Sequence, residues 1–347
     1  MKIFIKAYVN KNLGDDLFLK ILNERYYKNN TFLITEKAKY LNLRNTKYYN
    51  CGIIEKIINK IKSKLKINYI KKYQKKCDVS IYIGGSIFIE KEREVYPYEG
   101  VGKYFVIGSN FGPYKSKRYL KKTKEFFECA EDVCLRDNYS YEKFKELKNV
   151  RKASDVVFNL DTTNIKISQK QVIIISIINC FKKCDSKIVE VYNNMLLNFI
   201  EENKRKYKII LMSFCENEGD REAVDYIYNR IKDKNNIGRY YYNGNINEAL
   251  NIIANSEIII GSRFHANIIG LILKKKIIPL AYSDKTINVL KDMNFNGIIY
   301  DLREISENTQ IRIEDAKTLK INRERENAIN QFLAFDKFER MMREDDQ

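Results

Sequence analysis

The chain has 347 residues, 44% of them hydrophobic, and carries 63 Lys and Arg against 45 Asp and Glu, a formal net charge of +18. That length suits two domains of ordinary size, and the apolar share excludes a disordered or fibrous chain. No apolar run approaches the ~18 residues a membrane helix needs, and the apolar start is broken at Lys6, so no signal peptide is expected and the protein is expected in the cytoplasm.

Lys2 to Val9 reads as a first strand, ending in the loop Asn10-Lys11-Asn12-Leu13-Gly14-Asp15-Asp16, with a helix from about Leu17 to Tyr27 behind it. Thr31 to Ile34 and Asp78 to Ile83 are the next strands, the latter closing on Gly84-Gly85-Ser86. Tyr104 to Gly108 closes on Ser109-Asn110-Phe111-Gly112-Pro113 and is followed by a helix from about Lys117 to Ala130. Asp132 to Asp137 is another strand, with a helix from Ser140 to Leu147. Strand, glycine-rich or acidic loop, then helix recurs, which reads as a parallel sheet covered by helices.

A polar stretch from about Asp161 to Gln171 has no periodicity and marks the domain boundary. The pattern then restarts with strand Val172 to Ile177, helix Val189 to Asn203, strand Tyr207 to Phe214, and helices Asp220 to Lys232 and Asn247 to Ala254. Strand Glu257 to Gly261 leads into a helix from Ala266 to Leu273, and Lys276 to Tyr282 is a further strand. Beyond Asp301 the chain is polar, with a helix expected from about Ile313 to Arg343. The reading divides the chain into domains 1–165 and 166–310 and a helical segment 311–347. The expected fold is α/β, two Rossmann-like domains facing a cleft, with the C-terminal helix packing back on the first.

The surplus of basic residues has an ordinary explanation in a Lys-, Ile-, Asn- and Tyr-rich composition. Its functional explanations are anionic substrates or an anionic membrane face. The densest basic stretch, Lys56 to Lys76, suits either an amphipathic helix lying on acidic headgroups or a merely solvated helix face. No nucleic-acid signature is present, so nucleic acid is not an expected partner. Seven cysteines, an odd number without CxxC spacing, argue for reduced thiols, and no metal site is expected.

His265 is the only histidine, and it stands in Ser262-Arg263-Phe264-His265 where an apolar strand turns into a helix. Ligands of parallel α/β sheets bind at such strand ends, where the helix start favours an anion. Arg263 adds a planar cation able to grip phosphate or carboxylate, and His265 a group that titrates near neutrality. The alternative is a satisfied core histidine beside a surface arginine. In the first loop, Gly14 permits a tight turn; one of Asp15 and Asp16 is expected to cap the helix while the other faces a bound ligand. Gly84 and Gly85 allow close backbone approach.

Taken in order, Asn12-Leu13-Gly14-Asp15-Asp16, Gly84-Gly85-Ser86, Gly108 to Pro113, Leu135 to Ser140, Asp155-Val156-Val157-Phe158, Ser262 to Ala266 and Tyr282-Ser283-Asp284-Lys285 resemble the polysaccharide pyruvyl transferase family. Ser86 stands where many members carry glycine, and Val156 where proline is common. The resemblance implies a fold of the GT-B type and transfer of pyruvate from phosphoenolpyruvate, as co-substrate and without cofactor, onto a sugar diol as a cyclic ketal. It implies that Arg136 and Lys285 join His265 in holding the donor, with Ser262, Arg263 and Tyr282 nearby. His265 is then the candidate general acid/base, on the hydroxyl that attacks. For Arg136 the competing reading is a local salt bridge to Asp137, and for Lys285 a plain surface lysine. The acceptor is a sugar or a lipid-linked oligosaccharide, with peripheral contact at the inner membrane face; oligomeric state is not legible. Two other readings stay open at this stage: a nucleotide-sugar glycosyltransferase of the same fold, and a non-catalytic basic protein that binds acidic polymer or membrane.

Overall fold

The computed structural model describes residues 1–50, 70–91, 98–168, 170–182 and 185–344. Residues 56–69 of the lysine-rich stretch, with Cys51 and Cys184, lie outside the described residues. Two compact units are formed: Met1–Val9, Phe18–Asn159 and Glu324–Gln347 make the first, and Asn10–Leu17 with Leu160–Arg323 the second.

The first unit is built on strands β1 (Lys2–Lys6), β2 (Thr31–Thr35), β3 (Thr46–Tyr49), β4 (Val79–Ile83), β5 (Tyr104–Ser109), β6 (Asp132–Leu135) and β7 (Val150–Lys152). They pair in the order β3-β2-β1-β4-β5-β6-β7, every pair parallel. The second unit has β8 (Val172–Ser176), β9 (Lys208–Ser213), β10 (Ile237–Tyr241), β11 (Ile258–Gly261), β12 (Lys276–Ala281) and β13 (Tyr300–Asp301). Their order, β10-β9-β8-β11-β12-β13, repeats the plan of the first sheet, again with parallel pairs. The expected α/β architecture of two Rossmann-like domains is the one found.

In both sheets the strand order reverses beside the first strand, between β1 and β4 and between β8 and β11. Crevices at such switch points are where open α/β sheets bind ligands. The central strands are continuous apolar runs because helices cover both faces: Ile173, Ile175, Ile258 and Ile260 are all fully buried. Helices α1 (Leu13–Tyr26), α2 (Lys117–Glu128) and α3 (Asn138–Phe144) accompany the first sheet, and α4 (Ser186–Asn203), α5 (Asp220–Arg230), α6 (Ile246–Ala254), α7 (Phe264–Ile272) and α8 (Asp284–Asp292) the second. Helix α7 lies close on its sheet because Gly270 has no side chain; a Cβ there would stand 2.8 Å from Ile259 Cδ1 and 2.9 Å from Ile277 Cγ2.

The single C-terminal helix expected from Ile313 to Arg343 is instead broken. A 3₁₀ turn at Ile313–Asp315 precedes α9 (Asn322–Ala328), a second 3₁₀ turn at Ile329–Phe332, and α10 (Leu333–Glu344). The break coincides with Gln331, fully buried in the first unit, which accepts from Gly108 N (2.9 Å) and donates to the carbonyls of Ala153 and Ser154 (both 3.0 Å). From Glu324 onward the chain packs back on the first unit, as expected. Phe335 and Phe338 lie against Phe105, and Arg25 grips Asp336 with two bonds of 3.1 and 2.7 Å.

Candidate functional site

In the second unit the carboxyl ends of β8, β9, β11 and β12 gather most of the residues singled out in the sequence; Gly84, Gly85 and Arg136 belong to the first unit. The segment Asn10–Leu17 groups here. Its main chain is pinned beside β9: Asn12 bridges Cys215, Leu13 N donates to Phe214 O (3.1 Å), and Asn217 Nδ2 donates to Asn10 O (3.1 Å). Helix α1 starts at Leu13, one turn earlier than expected, because Asn12 caps it through Gly14 N–H (3.1 Å). An asparagine, not an aspartate, does the capping. Asp16 is fully buried and accepts a 2.6 Å bond from Tyr242 Oη, while Asp15 is half-buried.

His265 is the second residue of α7, half-buried, with its ring edge-on to Phe264. The imidazole lies directly against Gly14: a Cβ there would overlap Nδ1 and stand 2.5 Å from Cγ and 2.7 Å from Cε1. Two motifs some 250 residues apart thus meet, and the glycine is required by the ring as much as by the turn. The β11–α7 junction is locked by Asn267, whose Nδ2 donates to Gly261 O (2.9 Å) and Arg263 O (3.3 Å).

Arg263 is buried. Its Nε and Nη2 bind Asp220 (2.8 and 2.5 Å) and its Nη1 binds Glu218 (2.6 Å). Burial works against its charge, but Asp220, Glu218 and Tyr282 outweigh it and hold the pKa well above the usual value. The guanidinium fork expected to meet an anionic ligand is therefore turned to carboxylates of its own unit. Ser262 is likewise engaged, its hydroxyl 2.9 Å from Tyr192 Oη.

Strand β12, paired with β11, leads into α8 at Ser283. Lys285 lies in the first turn of α8 with its ammonium 5.6 Å from the Tyr282 ring centroid. Asp284 turns outward to Arg303 (2.8 Å). Ser283 Oγ and Thr286 Oγ1, both buried, make no hydrogen bond among the described residues. This helix start combines a cation, two hydroxyls and the positive end of the helix dipole, the ingredients of an anion site.

In the first unit the strand ends converge on Arg136, which follows β6. Its side chain is 1% exposed. Nη1 binds Asp155 (2.7 Å), Nη2 binds Asn110 Oδ1 (2.6 Å), and Ser86 Oγ lies at 3.5 Å. The guanidinium covers Gly85, where a Cβ would stand 2.7 Å from Cζ. Asp137, the partner weighed in the sequence, instead caps α3 through Ser140 N (2.7 Å). Arg136 thus ties together the loops after β4, β5 and β7, and this geometry does not offer it to a ligand.

Asp220, Glu218, Tyr242 and Thr286 were not singled out in the sequence. Glu218 and Asp220 flank Gly219 between a strand and a helix, the same loop grammar as the motifs that were. Among the described residues no group of three or more His, Cys, Asp or Glu side chains could hold a metal ion, and no described helix is long and apolar enough to cross a membrane.

The family model for polysaccharide pyruvyl transferase matches residues 12–284, from the capping Asn12 to the first residue of α8 and one short of Lys285. No curated protein sequence matches the chain. Among solved structures, UDP-GlcNAc 2-epimerase from Methanocaldococcus jannaschii is similar at 12% identity and a TM-score of 0.58, over 96% of this chain and 100% of that one. UDP-GlcNAc 2-epimerase from Neisseria meningitidis is similar at 10% identity and 0.53, over 98% and 92%. TarM from S. aureus is similar at 10% and 0.52, over 96% and 94%. At such identities the likeness is one of fold, the GT-B class with two parallel-sheet Rossmann-like domains.

Proposed function

Because the chain belongs to the polysaccharide pyruvyl transferase family, we propose that it moves pyruvate from phosphoenolpyruvate onto two hydroxyls of a sugar, forming a cyclic ketal. The observation that carries this reading is the seat of the one histidine, against Gly14 at the start of α7, beside the anion-ready start of α8. Neighbouring parallel strands lie about 4.8 Å apart, so a small dianion held at one helix start is within reach of a side chain at the other.

In this reaction C3 of the donor gains a proton, and C2 forms a bond to the first sugar oxygen. The C2–O bond to phosphate then breaks, phosphate leaves, and the second hydroxyl closes the ketal. Of the two hydroxyl protons one balances C3 and the other leaves with phosphate. His265 is the group that accepts and returns a proton. Lys285, Ser283 and Thr286 hold the phosphate, with Tyr282 beneath the ammonium. Arg263 positions: by binding Glu218 and Asp220 it fixes the loop before α5 against the start of α7. Arg136 positions in the same way in the first unit. Asn12, Gly14 and Asp15 line the histidine's side of the site, where the acceptor is received; Gly84 and Gly85 shape the Arg136 cluster. The acceptor is a cell-surface polysaccharide or its lipid-linked precursor, met from the cytoplasm at the inner membrane face.

The test is phosphate release from phosphoenolpyruvate with a panel of pyranoside acceptors, for wild type and His265→Ala. Acceptor-dependent release should fall roughly 100- to 10,000-fold in the variant with an unchanged melting temperature. Stabilisation of the protein by nucleotide-sugars and not by phosphoenolpyruvate would replace this reading with glycosyl transfer.

A further inference from the structure

Gly14 sits between two anchors of different kinds. On its N-terminal side the chain is held by main-chain groups, through the Asn12–Cys215 bridge and the bond from Leu13 N to Phe214 O. On its C-terminal side stands the bond from Tyr242 Oη to Asp16 Oδ2, 2.6 Å long between two fully buried side chains. Tyr242 follows β10, and its own N–H donates to Ser213 O at the end of β9 (3.1 Å), so its ring is fixed to the sheet and not to a mobile loop. A phenol donating to a buried carboxyl group makes a short bond, and removing the hydroxyl withdraws one of the contacts that hold the Asp16 side chain in place.

We propose that Tyr242 is a positioning residue for His265, acting through Asp16 to hold Gly14 against the imidazole. The inference rests on the reading of His265 as the proton-transfer group only for its consequence in turnover; the geometry stands apart from it. With the Tyr242–Asp16 bond in place, α1 begins in one register and Gly14 presents a flat, side-chain-free surface that permits a single seat for the ring. Without it the first turn of α1 is held less tightly on the side of Asp16, and the surface that Gly14 presents to the ring moves with it.

Because the chain has one histidine, labelling with ring-¹³C histidine gives a single Cε1–H resonance that needs no assignment. The full chain is compared as wild type, Tyr242→Phe, Asp16→Asn, the double variant and Gly14→Ala, each checked for folding by circular dichroism. Gly14→Ala displaces the ring directly and sets the scale of the change. Tyr242→Phe and Asp16→Asn should each move or broaden the resonance, and the double variant should go no further than either, as coupled neighbours do. Turnover should fall about ten- to a hundredfold, the cost of a small misplacement, with KM for phosphoenolpyruvate little changed. A folded Tyr242→Phe or Asp16→Asn protein with the wild-type resonance, beside a shifted Gly14→Ala, overturns the proposal. Undiminished turnover in His265→Ala would instead overturn the role of His265 and leave the resonance result standing.

Discussion

The two arginines of the motif series share one trait: each is buried on a carboxylate far along the chain, 19 residues away for Arg136 and 43 for Arg263. The motifs themselves were legible, because glycine, charge and hydroxyl residues cluster where apolar runs stop. Their partners were not, because which loops meet depends on strand order, and Arg136 reaches Asp155 over β6 and β7, two neighbours in the sheet. The adjacent Asp137 was the natural candidate by sequence, yet consecutive side chains leave a strand in opposite directions. Breaking a buried pair by removing one partner strands the other charge, at a cost of about 3–5 kcal/mol. Asp155→Ala should therefore lower the unfolding free energy by that amount in a denaturant titration. Replacing both residues with apolar ones of similar volume, as in Arg136→Met with Asp155→Leu, should recover most of it. A single variant as stable as wild type would mean that the cluster does not hold the three loops.

Among the elements, the central strands and their helices were readable from apolar runs alone, to within a turn or two, except α8 after β12, for which no helix was expected. The edge strands β3, β7, β10 and β13 were not: they are five residues or fewer and half-polar, so their pairing comes from the neighbouring strand and not from their own pattern. The turn between α7 and β12 was equally opaque. Lys275 there is fully buried, and its ammonium donates to Ala254 O at the end of α6 and to Ser168 O (both 2.6 Å). Burial lowers its pKa from 10.5 to about 8. A neutral amine has two hydrogens for these two carbonyls, so the uncharged form suits the site. Between pH about 8 and 10.5 the unfolded chain then holds more protons than the folded one, and stability from this residue rises with pH across that window. The difference in unfolding free energy from denaturant titrations of wild type and Lys275→Met should widen in favour of wild type from pH 7 to pH 10. At the upper end it should reach about 1–3 kcal/mol, the cost of unsatisfied buried carbonyls. A difference that does not change with pH would mean that the lysine keeps its proton.

For the whole molecule, sequence alternation reveals two parallel sheets, and their shared strand order is what doubles the switch point. Net charge is the other property readable at this scale. A surplus of +18 follows from a lysine-rich composition and also suits a donor bearing phosphate and carboxylate, and the two explanations part on the salt dependence. A summed positive field raises the encounter rate of a small anion and is screened over a Debye length of about 10 Å at 0.1 M. The ion pairs of Arg263 and Arg136 are buried and screened far less, so the site itself should hold its geometry as salt rises. If the field steers phosphoenolpyruvate, kcat/KM for this donor should drop several-fold between roughly 0.02 and 0.2 M sodium chloride, while kcat stays level. A flat kcat/KM over that range would assign the surplus lysines to composition.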